Sequence, residues 1–253
     1  MSVSIEVPAG GPLFDGHFPG RPILPGVAGL SMVVLALAPN GGPPAVRSIP
    51  FLRFRALVAP GDALDVTASK GGPDGATRFE VRRSGTRVVE GSIVFGPPED
   101  AEDPGPWVAA RAARCLASFD ELIPHRPPMR LVETVLGEAD EGATCRGRVS
   151  RACALVSGGT APALVALEAA AQTAAVWEAL RRSRAEGAPS ARIGYLVSAH
   201  DVTIHRATIP ADTDLYASVR LCGLAGSLSQ YAIEVVTEGT VALRGTIGTY
   251  LSP

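Results

Sequence analysis

The strongest constraint on this chain is an internal repeat, which limits it to architectures assembled from two copies of one unit. Pro25 precedes an apolar helix candidate running from about Gly26 to Ala38, and Pro162 opens a second running to about Arg184, at an offset of 137 residues. Pro60-Gly61-Asp62 matches Pro210-Ala211-Asp212 at an offset of 150, and Gly85-Thr86 matches Gly239-Thr240 at 154. The growing offset places extra residues in the second helix and the loop around Arg181–Ser190. Each helix is followed by alternating or β-branched stretches separated by turn residues. Those of the first half are Val46–Leu57, Ala63–Ser69, Thr77–Arg83 and Thr86–Phe95, with Ser2–Val7 ahead of the helix. Those of the second are Arg192–His205, Asp214–Cys222, Ser229–Val236 and Val241–Leu251, with Arg130–Glu138 and Ala143–Ser150 ahead of it.

Between the halves, Gly96-Pro97-Pro98-Glu99-Asp100-Ala101-Glu102-Asp103-Pro104-Gly105-Pro106 joins prolines and glycines to four acids, with almost nothing to bury. It reads as a linker, so the expected units are 1–96, a linker 97–107, and 108–253. The formal net charge is −2, and no basic stripe speaks for nucleic acid. Cys115, Cys145, Cys153 and Cys222 lack the spacing of a zinc site and read as reduced, buried thiols. Met1 to Gly11 lacks the basic-then-apolar order of a secretory signal, and no apolar run approaches bilayer length, so a cytoplasmic location and no membrane association are expected.

The stretch Phe14-Asp15-Gly16-His17-Phe18-Pro19-Gly20-Arg21-Pro22-Ile23-Leu24-Pro25-Gly26-Val27 resembles the signature of bacterial 3-hydroxyacyl-acyl-carrier-protein dehydratases. Arg53-Phe54-Arg55 through Pro60-Gly61-Asp62, Leu122-Ile123-Pro124-His125-Arg126-Pro127-Pro128-Met129 and Leu167-Glu168-Ala169-Ala170-Ala171-Gln172 extend that resemblance over most of the chain. It implies an α+β double hot dog: two antiparallel sheets, each wrapped around a central helix, paired as a pseudo-dimer. In that family a histidine lies 14 positions before a helical carboxylate, and the two act across the interface. Fourteen positions after His17 stands Ser31, and fourteen before Glu168 stands Ala154. The losses are complementary, so the resemblance implies one complete site, His17 with Glu168, and one dead one. The second half is similar to the acid-bearing partner of aryl-polyene-type dehydratases.

The implied reaction turns 3-hydroxyacyl thioesters into trans-2-enoyl thioesters. Neutral imidazole suits His17 to take the C2 proton. Glu168 sits among Leu164, Val165, Leu167 and alanines, surroundings expected to keep it protonated as the acid assisting hydroxide departure. The Gly26 amide, at the start of the first helix, is the expected oxyanion donor. Gln172, one turn after Glu168, is expected to orient the carboxyl group, while Phe18 and Val27 shape the acyl tunnel. The elimination requires no metal or organic cofactor. The substrate is expected on the phosphopantetheine of an acyl carrier protein, with Arg21, Arg47, Arg53 and Arg55 as docking candidates.

Plainer readings stand beside these. The Pro-His-Arg element around His125 reads as packing or capping, and His200 and His205 read as structural residues on one strand. Ser31 has no G-x-S-x-G elbow and reads as a relic. Hydration in the reverse sense, thioester hydrolysis and a non-catalytic acyl-carrier partner are the alternative functions. The halves form one site in a single chain, or the chain pairs again as a homodimer of pseudo-dimers.

Overall fold

A computed structural model describes residues 1–38, 44–71, 75–105, 119–186 and 192–252. Cys115, the end of the expected linker beyond Gly105 and residues 187–191 lie outside the described residues.

The first half supplies β1 (Ser2–Glu6), helix α1 (Gly26–Ala36), β2 (Val46–Phe54), β3 (Ala63–Lys70), β4 (Thr77–Arg83) and β5 (Thr86–Phe95). The second supplies the short α2 (Phe119–Leu122), β6 (Val132–Ala139), β7 (Gly142–Arg148), β8 (Thr160–Pro162) and the long α3 (Val165–Glu186). The strands β9 (Gly194–Ile204), β10 (Thr208–Pro210), β11 (Asp214–Ala225), β12 (Leu228–Thr237) and β13 (Thr240–Leu251) complete it.

The two sheets expected from the repeat are one. Eleven antiparallel strands run in the order β1-β3-β4-β5-β2-β9-β13-β12-β11-β7-β6, and the halves join where β2 pairs with β9. At this seam Leu52 faces Ala199 across the strands and both are fully buried. Phe51 stands opposite His200 on the other face, their rings 5.7 Å apart. A sheet that continues across the junction leaves no edge for the backbone of either half to satisfy there. Helices α1 and α3 touch each other.

The helices differ because their sequences do. Pro25, with φ −54°, caps α1 without a side-chain hydrogen bond, leaving the first amides of the helix unclaimed by any side-chain cap. Val27, Ala28, Leu30, Val33 and Val34 then bury most of its circumference. Helix α3 is Ala-rich and 22 residues long, and nearly all its residues from Val165 to Leu180 are buried. Small side chains let it lie close against the sheet at little cost in side-chain entropy. It starts at Val165, later than Pro162 suggests. Thr160–Pro162 is drawn instead into the two-stranded pairing of β8 with β10, and the Ala163 amide donates to the Ala207 carbonyl.

The acidic segment between the halves is not a free tether in its described part. The Glu99 amide donates to Ile204 O, the Val241 amide to Glu102 O, and the Gly105 amide to the buried Glu234 carboxylate at 3.0 Å. Arg244 pairs with Glu102 and Glu234, and His205 Nδ1 lies 2.7 Å from Asp100 O. Two of the acids that look unburiable in sequence have basic partners, Glu102 with Arg244 of the second half and Glu99 with Arg47 of the first. Cys145 and Cys153 are buried free thiols, whereas Cys222, expected buried, is exposed at the outer part of β11. Among the described residues, no helix is long and apolar enough to cross a membrane.

Candidate active site

His17 is delivered by a short 3-10 turn, Pro12–Phe14, and by Gly16, whose φ of +80° favours glycine. Gly16 also meets the other half: its carbonyl accepts the Arg126 amide at 3.0 Å, and a Cβ at Gly16 would stand 1.9 Å from Arg126 O. That contact clasps the loop of His17 to the loop of His125. The His17 backbone carbonyl accepts the Ile23 amide at 3.1 Å, and its Nδ1 lies 3.0 Å from Ile23 O. A carbonyl only accepts, so Nδ1 carries the hydrogen and the neutral ring keeps its lone pair on Nε2. Phe18 stacks on the ring at 4.2 Å. Burial pulls the His17 pKa below 6.5, with nearby His125 acting in the same sense and Glu168 opposing.

Glu168 projects from the first turns of α3 and is 4 % exposed. Its Oε1 accepts from His125 Nε2 at 3.2 Å and from Gln172 Nε2 at 3.0 Å. Gln172 is itself fixed, donating to Met129 O and accepting the Leu131 amide, both at 2.8 Å. The side-chain donor atoms of His17, His125 and Glu168 all lie within 4.8 Å of one another. The sequence places His17 and Glu168 in different halves, and the structure brings them to one buried cluster.

Three expectations need correction. Burial does push the Glu168 carboxyl up, but the His125 hydrogen bond, the charges of His125 and His17 and the Gln172 amide together hold it down to about 2. The empty site therefore carries a carboxylate. Second, His125 is no mere packing residue. It is 4 % exposed, bonded to Glu168, 5.3 Å from the His17 ring, and among the described residues its Nδ1 has no hydrogen-bond partner. Its signal in the sequence is a histidine followed by a proline pair at the start of the half that lacks the His-Phe-Pro-Gly stretch. Third, Phe18 and Val27 do not line the cavity beside this cluster. Helix α1 turns Gly26 and Gly29 to that cavity, which sends Val27 into the core at 0 % exposure, while Phe18 lies against both histidine rings.

The cavity runs from His17, His125 and Glu168 along α3, past Ala171 and Ala175, to Glu178 and Ser229. Its opposite wall is Phe54 of β2, Tyr195 and Leu196 of β9 and Tyr250 of β13. Both halves therefore build it. Gly26 lines it at the N-terminus of α1, where a Cβ would meet the Phe54 ring at 3.0 Å. Ser31 lies off this cavity, its hydroxyl donating back to Val27 O within α1. Of the arginines named for docking, Arg55 pairs with Glu90 and Arg47 with Glu99. Two imidazoles and a carboxylate are a donor set known to hold zinc, but here the carboxylate oxygen is already engaged by His125 and Gln172.

Residues 117–253 match the family described as ApeP-like, ApeP dehydratase, and residues 1–92 match ApeI-like, ApeI dehydratase. Among curated relatives, the chain is 32 % identical over 99 residues to the 3-hydroxyacyl-[acyl-carrier-protein] dehydratase FabZ of Clostridium acetobutylicum, covering 33 % of this chain and 67 % of that protein. It is 40 % identical over 84 residues to the FabZ of Cereibacter sphaeroides, 29 % of this chain and 54 % of that protein. The chain thus spans between about half and two thirds of the length of these relatives. Among solved structures, the dehydratase heterocomplex ApeI:P from Xenorhabdus doucetiae matches with a TM-score of 0.50 at 24 % identity, covering 55 % of this chain and 93 % of that one. The dehydratase domain of RzxB from Pseudomonas fluorescens matches over 100 % of this chain and 94 % of its own, with a TM-score of 0.71 at 14 % identity. At such identities the structures speak for the double hot-dog fold alone. With more than half of its length matched by one dehydratase family and the preceding 92 residues by its companion, the chain belongs to the ApeP-like dehydratases, fused behind an ApeI-like unit.

Proposed function

We propose that the chain dehydrates 3-hydroxyacyl thioesters, carried on an acyl carrier protein, to trans-2-enoyl thioesters at one composite site. The observation that carries this reading is the buried cluster of His17 from the first unit with His125 and Glu168 from the second, at one end of a largely apolar cavity. The units of the reading are 1–96 and 108–253, joined by 97–107.

The groups divide the work by their hydrogen bonds. His17, neutral at working pH with its lone pair on Nε2, takes the C2 proton. Negative charge then develops on the thioester oxygen, where the uncapped N-terminus of α1 offers the Gly26 amide. A preorganised donor of this kind is worth roughly 3 kcal/mol of transition-state stabilisation. The departing hydroxyl needs a proton, and the Glu168–His125 couple supplies it. In the empty site that couple is held as carboxylate and imidazole donor. An acyl chain displaces water from the cavity, the Glu168 carboxylate loses hydration, and it takes up a proton from solvent to become the neutral acid. Glu168 then gives its proton to the leaving oxygen, water departs, and the proton gained by His17 is returned to the couple through solvent. Gln172 keeps the carboxyl group in register throughout.

The test is turnover of a 3-hydroxyacyl carrier protein by the intact chain, with enoyl product read by mass spectrometry, beside His17→Ala and Glu168→Ala. Each substitution is expected to cut the rate by at least 10²-fold. Full activity in either variant refutes the composite site, and an inert wild-type chain refutes the reaction.

A further inference from the structure

The reacting cluster and the far end of the cavity lie on the same stripe of α3. Glu168, Ala171, Ala175 and Glu178 follow at intervals of three, four and three residues, so they share one face. Between Val165 and Leu180, Ala171 and Ala175 alone are partly exposed, because they form the cavity wall and their methyls leave the groove open. At 1.5 Å per residue the two carboxylates sit about 15 Å apart along the helix. Of the lining residues Leu57 is the most exposed, at 41 %. Glu178 and Ser229, at 7 % and 8 % exposure, line the cavity ten residues along α3 from Glu168.

That part of the cavity is polar, whereas the groove leading to it is lined by Ala, Leu and aromatic side chains. Glu178 Oε1 accepts from Tyr231 OH at 2.6 Å and Ser229 Oγ at 3.0 Å, and Oε2 accepts from Arg181 Nη2 at 3.0 Å. These bonds, with the charge of Arg181, keep the carboxyl below its ordinary range although burial pushes the other way. A carboxylate offers about four acceptor positions, so roughly one remains beyond these three.

We propose that Glu178 decides what the far end of the acyl chain must carry: a chain long enough to reach it is taken when it ends in a hydrogen-bond donor, such as a hydroxyl, and disfavoured when it ends in a methyl. The proposal rests on the reading of this cavity as the acyl site. A methyl pressed against an acceptor-only group strips its water and returns no hydrogen bond, whereas a hydroxyl replaces that water. Chains too short to reach Glu178 escape the choice. With carbon–carbon bonds of about 1.5 Å advancing about 1.3 Å each, the reach from C3 corresponds to an acyl chain of roughly fourteen carbons.

The experiment compares kcat/KM for three 3-hydroxyacyl pantetheine thioesters: a chain of about fourteen carbons ending in a hydroxyl, the same chain ending in a methyl, and a short six-carbon control, on the scale set by the helix rise. Wild-type protein is expected to prefer the hydroxyl-ended long chain over the methyl-ended one by at least tenfold, and Glu178→Leu to abolish or invert that ratio. Glu178→Gln, which keeps the shape and one acceptor, is expected to lower it at least threefold, and decides the matter if the leucine variant does not fold. Equal use of the two long chains by wild type, or an unchanged ratio in the variants, overturns the proposal. Loss of turnover with all three wild-type substrates, the short one included, would instead overturn the dehydration reading beneath it.

Discussion

Replacing Gly16 by alanine should separate the two histidine loops and cost both stability and rate. The new Cβ would lie 1.9 Å from Arg126 O, about 1.4 Å short of the roughly 3.3 Å at which carbon and carbonyl oxygen ordinarily meet. Arg126 follows His125 and Gly16 precedes His17, so the relief of that clash moves the two histidines of the cluster. At φ +80° the side chain adds about 1–2 kcal/mol of backbone strain. Loss of the Gly16 O to Arg126 N–H hydrogen bond adds about 1 kcal/mol. The sum, roughly 2–3 kcal/mol, corresponds to a fall in Tm of about 4–12 °C for a chain of this size. A displacement of about 1 Å at a positioned catalytic group costs on the order of 10²-fold in rate. Thermal unfolding and single-turnover dehydration by Gly16→Ala measure the two effects. A variant with wild-type kcat and Tm would refute the idea that this contact sets the spacing of His17 and His125.

Two further outcomes follow from the site. His125→Ala removes a donor from the buried Glu168 carboxylate and is expected to lower kcat/KM by about 10²-fold or more, with KM little changed; a loss below about threefold would return His125 to a packing role. The pH profile carries the sign of the His17 shift. Because burial lowers its pKa below 6.5, the acid limb of kcat/KM should be centred below pH 6.5. An acid limb centred at or above 6.5 would contradict the desolvated base.

Much of the fold was legible because its signals are local. Thr77–Arg83 and Thr86–Phe95 form strands where their alternation indicates, and α1 begins behind Pro25 at Gly26. Side-chain period and a fixed proline φ act within a few residues, and need no tertiary context. The repeat carries the same kind of information at longer range, since two similar patterns imply two similar units. The merging of the sheets was not legible. Pairing of β2 with β9 depends on how two units dock, and no residue within either strand announces its neighbour.

The site divides in the same way. The sequence by itself determined that a histidine and an acid survive in opposite halves, as His17 with Ser31 and Ala154 with Glu168, because deletion of a chemical group is visible in a string of letters. The tertiary structure decided which groups surround them. It placed His125 against Glu168, turned Val27 into the core while Gly26 faced the cavity, and set Glu178 at the far end of the same helical stripe. It also reversed the expected protonation of Glu168. Apolar neighbours in sequence imply desolvation alone, whereas the pKa of a buried acid is the balance of that burial against hydrogen-bond donors and charges that arrive from other elements.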